Sequence, residues 1–230
     1  MKLHRFFCDE KLTDRKSVVI THAPLVNQLK NVFRLVKGDK IILFDNSGFD
    51  YGVSIEGFEK ESVSFLVDSV TPNKVFPIRE TYLFASIVKK DNFEWITQKA
   101  TELGVSHIIP IISDRTEKKD LNKERIQKII VEASEQSGRG TLPVLSEVMD
   151  LETALQKFGH VKSIAWHTQA EKFVSQDLGD TLGAYIGPEG GWSDSEIELF
   201  KKHGIRIRSL GPQVLRSETA VISVITLSVF

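Results

Sequence analysis

Two short loops near the carboxyl end of the sequence share one design and carry its clearest chemical signal. They are Ile186-Gly187-Pro188-Glu189-Gly190-Gly191-Trp192-Ser193 and Leu210-Gly211-Pro212-Gln213-Val214-Leu215-Arg216-Ser217-Glu218-Thr219-Ala220. Each follows a short apolar run, opens on Gly-Pro and ends where a helix can begin. Small residues let main-chain N–H and C=O groups come close to a ligand, and the start of a helix directs free N–H donors toward it. Two such loops side by side predict a pocket that recognises a cofactor mainly through the main chain.

A simpler interpretation is that each Gly-Pro pair only marks a turn, as this pair often does. The matching strand–loop–helix context of the two loops favours the pocket. The sequence contains neither G-x-x-x-x-G-K-[ST] nor G-x-G-x-x-G after an early strand. The absence of these motifs argues against a P-loop nucleotidase and an ordinary Rossmann cofactor domain.

Both loops fall at the ends of predicted strands in a region that begins near residue 80. Strand-like runs alternate there with helical patterns, and the runs are Thr81–Val88, His107–Ile112, Ser163–Trp166, Gly183–Ile186 and Ile205–Leu210. This alternation favours an α/β domain with a mostly parallel sheet. In such sheets ligands gather beyond the carboxyl ends of the strands, where both Gly-Pro loops lie.

Each predicted helix of this region has a start signal and a stop signal. The pairs are Asp91 and Gly104, Asn122 and Gly138, and Ser193 and Gly204. Glu94 and Glu196 follow the first and the last of these starts by three residues, which is the capping-box spacing.

Residues 1 to about 72 have a different pattern, that of short strands separated by turns. The strand-like runs are Val18–Ile20, Lys40–Phe44, Tyr51–Ile55 and Ser62–Val67, rich in β-branched and aromatic residues. Asp45-Asn46-Ser47-Gly48 is a strong turn signal, and one short helix is expected around Leu25 to Leu35. We therefore predict a small β-barrel domain over residues 1–72, a linker around Thr71 to Pro77, and a second domain over residues 73–230.

Composition narrows the class of protein without defining it. The 230 residues include 30 Lys+Arg and 31 Asp+Glu, so a nucleic-acid site would have to be a local basic patch. Cys8 is the single cysteine, which predicts no disulfide framework and no Cys-based metal site. The first residues lack a signal-peptide pattern, and no window approaches about 18 uninterrupted apolar residues. We expect a soluble, cytoplasmic protein that needs no metal and no membrane.

The two loops resemble the cofactor signatures of the SPOUT methyltransferases. More narrowly, the chain is similar to the ribosomal RNA small subunit methyltransferase E family, which methylates N3 of a uridine in 16S rRNA, position 1498 in the family. Three further stretches carry the narrower resemblance: Lys89-Lys90-Asp91 with Glu94 through Val105, Glu132 through Arg139, and His4 through Phe7 with Arg34-Leu35 and Gly38-Asp39. The match covers nearly the whole chain. Gln213 and Asn92 stand where basic residues are expected.

The resemblance implies a PUA-like β-barrel followed by a SPOUT-type α/β domain with a carboxyl-terminal trefoil knot. It also implies a homodimer and a bent S-adenosylmethionine held by the knot loops. The expected cofactor-binding residues are His167, Gly187, Pro188, Glu189, Gly190, Gly191, Leu210, Gly211, Leu215, Arg216, Glu218, Thr219 and Ala220. The apolar run from Thr219 to Leu227 must be buried, against a partner, inside a loop, or as a plain core strand or helix.

The implied chemistry assigns roles to charged residues in the loops. S-adenosylmethionine carries its own activated methyl group, so no metal is required. Uridine N3 must lose a proton before it attacks, which calls for a base or for a cation that stabilises the uridine anion. Arg216 is the first candidate for the cation, because it keeps its charge at any working pH. Glu218 and Glu189 are candidates for the base, for orienting Arg216, or for capping loop N–H groups, and the base stays unassigned.

Contacts to RNA should come from local clusters of basic side chains. The candidates are Arg5, Arg34, Lys89, Lys90, Arg115 and Arg139. Arg139 stands between two glycines, which favours a reachable guanidinium for phosphate. The simpler interpretation of each is a solvated surface charge.

The resemblance implies an S-adenosylmethionine-dependent rRNA uridine-N3 methyltransferase that acts on 16S rRNA or on the assembled small ribosomal subunit. Two alternatives stay open: a methyltransferase for a ribose 2′-oxygen, and a non-catalytic RNA-binding assembly factor that kept the fold.

Overall fold

The computed structural model describes residues 3–75, 79–117, 120–174 and 181–229. The chain forms two compact units. The first comprises Met1–Phe76 with Ser134–Leu142, and the second comprises Pro77–Ala133 with Pro143–Phe230. The segment 134–142 therefore belongs to the first unit by contact, although it falls within the second domain predicted from the sequence. The division into an RNA-binding domain over residues 1–72 and a methyltransferase domain over residues 73–230 stays a prediction.

Side-chain hydrogen bonds explain why this segment belongs to the first unit. The Asn73 side-chain amide donates to the carbonyl oxygen of Gly138 and to Asp50 Oδ1, both at 2.9 Å. The Phe7 N–H donates to Glu135 Oε1 at 2.9 Å. Within the predicted linker, Thr71 and Pro72 end a strand and Asn73 is anchored, while Pro77 lies outside the described residues.

The first unit is built on a five-stranded sheet. Its strands are β1 (Arg5–Phe7), β2 (Ser17–Ile20), β3 (Lys40–Phe44), β4 (Phe49–Phe58) and β5 (Val63–Pro72), in the order β1-β3-β4-β5-β2. β1 and β3 are parallel, and the other pairs are antiparallel. A short helix, α1 (Ala23–Asn27), continues into a π-helical stretch at Gln28–Val32.

Alternating side chains of these strands form the core of the first unit. On β4, for example, Tyr51, Val53 and Ile55 are buried, as the period of two in a strand requires. The four predicted strands and the turn at residues 45–48 are confirmed, with β4 and β5 longer than predicted. The sequence did not reveal β1, because three residues show too little pattern.

The second unit contains a parallel sheet in the order β12-β10-β11-β6-β7-β8, with β9 also paired to β7. Its strands are β6 (Glu80–Ser86), β7 (His107–Ile112), β8 (Val144–Leu145), β9 (Met149–Asp150), β10 (Ser163–Trp166), β11 (Thr181–Ile186) and β12 (Arg206–Arg208). Its helices are α2 (Lys90–Glu102), α3 (Lys123–Ser137, whose last turn lies in the first unit), α4 (Leu151–Lys157), α5 (Asp194–Lys202) and α6 (Ser217–Val229). The predicted α/β architecture is confirmed, while the short elements α4, β8 and β9 were not predicted.

The helix start signals were right in two cases and wrong in one. Asn122 Oδ1 accepts the N–H of Arg125, and Ser193 forms a complete capping box with Glu196. α2 instead has Lys89 as its N-cap, without a side-chain cap, so the predicted start at Asp91 is wrong. Asp91 lies in the first turn, where its charge still favours the helix dipole.

The apolar end of the chain is the helix α6. Val221, Val224, Ile225 and Val229 are buried, and the helix packs against α2, β6 and β11 of its own unit. None of the helices in the described part of the chain has the length and apolar character required to cross a membrane.

A buried ion pair in the first unit allows a stability test. Arg5 makes two hydrogen bonds with Asp50, at 2.6 and 2.8 Å, and its side chain is 8% exposed. We expect Asp50→Ala to destabilise the unit by about 3–5 kcal/mol, because it leaves a buried cation without a counter-charge. Urea unfolding followed by far-ultraviolet circular dichroism measures this loss. Glu10→Ala, which removes the partner of the half-exposed Arg15, should cost at most about 1 kcal/mol; equal losses would contradict the assignment.

Candidate cofactor site

A cleft opens at the carboxyl edge of the parallel sheet, where β12, β10 and β11 lie side by side. Trp166 of β10 is in register with Ile186 of β11 and with Arg208 of β12. The three strands therefore end at the same level, and the loops that follow them meet. These loops line one cleft, at the edge where the sequence predicted it.

The structure brings ten of the thirteen predicted cofactor residues to the wall of this cleft. They are His167, Gly187, Pro188, Glu189, Gly190, Gly191, Leu210, Gly211, Leu215 and Ala220. The wall also contains residues that were not predicted to bind the cofactor, among them Trp166, Thr168, Trp192 and Ser209.

The first Gly-Pro loop is shaped by a tight turn and by two tryptophans. The Gly191 N–H donates to the Pro188 carbonyl at 2.8 Å, and Gly191 has φ +67°, a conformation that favours glycine. A Cβ at Gly187 would lie 3.2 Å from the Trp192 ring. The buried Trp192 indole donates to the Trp166 carbonyl at 3.1 Å. The loop is therefore fixed onto the end of β10.

Ser209 holds the second Gly-Pro loop in place. Its hydroxyl accepts the N–H of Gly211 at 3.1 Å and lies 2.9 Å from the Gly211 carbonyl oxygen and 3.2 Å from that of Thr168. At the other end of this loop, the Ser217 hydroxyl donates to the Gly187 carbonyl at 2.9 Å. This bond links the second loop directly to the first.

A third loop, after β7, braces the first Gly-Pro loop. Arg115 Nη1 donates to the Gly190 carbonyl at 2.6 Å. The buried carboxylate of Glu196 accepts the main-chain N–H of Asp114 at 2.9 Å and that of Ser193 at 2.8 Å. Arg115, predicted to contact RNA, thus also lines the cofactor cleft. This bracing could not be predicted from local sequence patterns, because the partners are about eighty residues apart.

The cleft suits a partly apolar ligand recognised through the main chain. Val214 lines it and is 84% exposed, and Leu215 and Ala220 add further apolar surface. The buried indole N–H of Trp166, also on the wall, has no hydrogen-bond partner among the described residues. No group of three or more His, Cys, Asp and Glu residues that could hold a metal ion occurs in the described part of the chain.

Arg216, Glu218 and Thr219 are not among the residues that line the cleft. The Arg216 side chain is exposed, and Glu218 is buried in the first turn of α6. Glu218 Oε2 has no hydrogen-bond partner among the described residues. Their neighbours Leu215, Ser217 and Ala220 reach the wall, and the predicted contact of these three residues with the cofactor stays a prediction.

The predicted RNA contacts divide into exposed and buried residues. Arg34, Lys89, Lys90 and Arg115 are exposed. Arg139 is 3% exposed, its Nε donates to the Thr141 carbonyl, and burial lowers its pKa to about 10.

The expectation of a reachable guanidinium at Arg139 is therefore wrong. Arg5 is likewise buried against Asp50 and the Arg139 carbonyl oxygen. Both cations serve the packing of the first unit, and neither presents its charge to solvent as a phosphate contact would require.

Comparisons with known proteins agree with this site. A family model described as RNA methyltransferase domain matches residues 75–229. The ribosomal RNA small subunit methyltransferase E of Bacillus subtilis is 33% identical over 214 residues, covering 85% of this chain and 83% of that protein. The Rickettsia conorii protein of the same name is 28% identical over 231 residues, covering 98% and 94%. A crystal structure of the Neisseria gonorrhoeae protein of that name, bound to S-adenosyl methionine, has a TM-score of 0.90 at 28% identity and covers 97% of this chain and 95% of that one.

The fold and the site thus define an RNA methyltransferase of the α/β class. The chain belongs to the ribosomal RNA small subunit methyltransferase E family, whose enzymes use S-adenosylmethionine as the methyl donor.

The bracing by Glu196 gives a first prediction for the site. Glu196→Ala leaves two main-chain N–H groups without their acceptor, so we expect a loss of roughly 1.5–3 kcal/mol in the free energy of unfolding. We also expect weaker binding of S-adenosylmethionine, because the first Gly-Pro loop loses its brace. Thermal unfolding and calorimetry measure the two effects. Glu198→Ala on the same helix removes only an exposed pair with Lys201 and is the matched control; similar results for both variants would contradict the role of Glu196.

Asp114 gives a second prediction, for pH. The hydroxyls of Ser193 and Ser195 donate to its carboxylate and hold its pKa below the ordinary value of 3.8, with a further contribution from the Arg115 charge. The folded-state pKa is depressed, so this interaction stabilises the loop above about pH 3.8 and is lost as the pH falls through the lower folded value.

A carbon-detected NMR titration should show that Ser195→Ala raises the pKa of Asp114 toward its ordinary value, while the cap at Ser193 is kept. Ser223→Ala, on α6, should leave it unchanged. An Asp114 pKa that does not respond to Ser195→Ala would refute the stated cause.

Proposed function

We propose that this protein transfers the methyl group of S-adenosylmethionine to N3 of a specific uridine in 16S rRNA. The single observation that carries the proposal is the cleft at the carboxyl edge of β12, β10 and β11, lined by both Gly-Pro loops. Family membership supports the substrate class, since the relatives are named as methyltransferases of small-subunit ribosomal RNA.

The residues of the cleft fit this cofactor. Leu210, Val214 and Leu215 offer apolar surface for an adenine ring, and the glycine-rich turns expose main-chain polar groups for its edge. The bound cofactor supplies a methyl group already activated on a sulfonium, so the protein need only position it and prepare the acceptor. Holding the two reacting groups in line can contribute up to about 7–11 kcal/mol to lowering the barrier.

Glu189 is the proposed proton acceptor, because it is the exposed carboxylate on the cleft wall. Glu218 is proposed instead to organise the start of α6, since it is buried in the first turn of that helix. Arg216, exposed between two lining residues, is proposed to meet the RNA at this loop.

We further propose that the first unit is a PUA-like barrel that binds RNA and that the carboxyl-terminal segment is tied in a trefoil knot. The five-stranded sheet of the first unit supports the barrel, and the resemblance of the two Gly-Pro loops to the SPOUT cofactor signatures supports the knot. A homodimer in the cytoplasm is also proposed. Its support is the exposed Trp95 on α2 and the exposed Leu227 on α6, two helices that pack together.

Product analysis tests the proposed reaction. The purified protein should transfer methyl groups from S-adenosylmethionine to small ribosomal subunits that lack the mark, and nucleoside mass spectrometry should identify N3-methyluridine. A 2′-O-methylated nucleoside would replace the proposal with ribose methylation. Absence of any cofactor binding in calorimetry would favour a non-catalytic assembly factor.

A matched pair of variants tests the cleft itself. Leu215→Asn, on the cleft wall, should weaken binding of S-adenosylmethionine about tenfold, which is ~1.4 kcal/mol. Val144→Asn alters an exposed apolar residue of β8 and should not change the affinity. Equal affinities for the two variants would place the cofactor elsewhere.

A further inference from the structure

A second groove lies beside the cofactor cleft, at the carboxyl ends of β6 and β7. It shares Arg115, Glu189 and Gly190 with the cleft. The remainder of its wall is formed by Ile87, Val88, Lys89 and Glu117. The two depressions therefore meet along the first Gly-Pro loop, and a ligand in one would face a ligand in the other across that loop.

The groove combines an apolar floor with a free cation. Ile87 and Val88 follow β6 directly and are buried. Lys89, the N-cap of α2, is exposed, and its ammonium has no ion-pair partner among the described residues. The next residue, Lys90, lies 3.9 Å from Glu94 and does not line this groove. Arg115 is also on the wall, but one of its N–H groups is used on the Gly190 carbonyl.

We propose that this groove is the subsite for the acceptor base, and that Lys89 is the catalytic residue that stabilises the uridine anion. The inference rests on the proposed function, which it extends from the methyl donor to the acceptor. It assigns to Lys89 the charge-stabilising role that the sequence pattern had indicated for Arg216. Arg216 is absent from the lining of both depressions.

The chemistry of the base fits this groove. N3 lies on the Watson–Crick edge of uracil, so an enzyme that reacts there must take the base out of any pair or stack. The apolar floor suits the face of such a base, as apolar side chains do in enzymes that bind a base taken out of its stack. An ammonium group only donates hydrogen bonds, so Lys89 suits a uracil carbonyl oxygen next to N3. The same ammonium would repel the exocyclic amino group of cytosine, which selects for uridine.

The balanced reaction uses residues from both depressions. The N3–H bond breaks and its proton passes to the Glu189 carboxylate, while Lys89 stabilises the negative charge delocalised onto the adjacent oxygen. The N3 electron pair then forms the bond to the methyl carbon, and the electron pair of the carbon–sulfur bond returns to sulfur. The products are N3-methyluridine, S-adenosylhomocysteine and a proton released from Glu189.

The pH dependence of single-turnover rates tests the role of Lys89. At neutral pH, Lys89→Ala should slow methyl transfer about a hundredfold or more, comparable to the loss of one charge-stabilising donor. Its rate should rise close to tenfold per pH unit and approach the wild-type rate where the uridine ionises in solution, since the cation is no longer needed there. Lys89→Arg, which keeps a positive charge, should recover much of the neutral-pH rate. Binding of S-adenosylmethionine, measured by calorimetry, should match the wild type in both variants.

Two comparison variants separate this role from simple RNA binding. Lys128→Ala removes an exposed lysine of α3 that pairs with Glu132 and should leave the rate unchanged. Lys90→Ala should raise KM for RNA by the same factor at every pH, as expected for a phosphate contact.

A Lys89→Ala rate that matches Lys128→Ala, or that is reduced equally at every pH, would overturn the inference. Wild-type protein that forms no N3-methyluridine would instead overturn the proposed function, so the two failures are distinguishable.

Discussion

The buried carboxylate of Glu196 is the interaction on which the geometry of the site most depends. It accepts main-chain N–H groups from Asp114, after β7, and from Ser193, at the start of α5. A carboxylate that accepts two such bonds gives both main-chain donors a charged acceptor, and bonds of this kind are stronger than those between neutral groups. Because one of these donors belongs to each loop, the same group that caps the helix also fixes the distance between two strand ends. The glycine-rich segment between β11 and α5 is short, so fixing its end at Ser193 limits the positions that the segment can adopt.

The parallel sheet explains why such local bonds suffice to build a site. All strands of the second unit point the same way, so the loops after β12, β10, β11, β6 and β7 emerge at one edge. Ser209 and Ser217 connect neighbouring loops there through the carbonyl oxygens of Thr168 and Gly187. The contacts that shape the cleft are thus mostly side chain to main chain, and they hold the backbone that a cofactor would meet.

Secondary-structure elements with clear periodicity and the glycine-rich loops could be predicted from the sequence. The burial of side chains that depends on contacts between distant segments could not. Most of the strands and both Gly-Pro loops were recognisable because pattern and turn chemistry are local. The burial of Arg139 could not be predicted in this way. Two flanking glycines favour an exposed, mobile side chain only when it has no partner, and here the Thr141 carbonyl and the surrounding packing hold the guanidinium. Arg5 was misread for the same reason, since Asp50 is 45 residues away in the chain. Glu218 is buried at the start of α6, and in the second Gly-Pro loop its neighbours Ser217 and Ala220 line the cleft instead.

The shared wall of the two depressions has a thermodynamic consequence. Glu189 and Gly190 border both the cofactor cleft and the groove beside it. The position of this short segment is set by the bond from Arg115 to the Gly190 carbonyl and by the turn from Pro188 to Gly191. A ligand that drew the segment toward one depression would change the wall of the other, and the affinities of the two sites would then be linked by the same factor in each direction. Methyl donor and acceptor base would then organise each other's site before any bond changes.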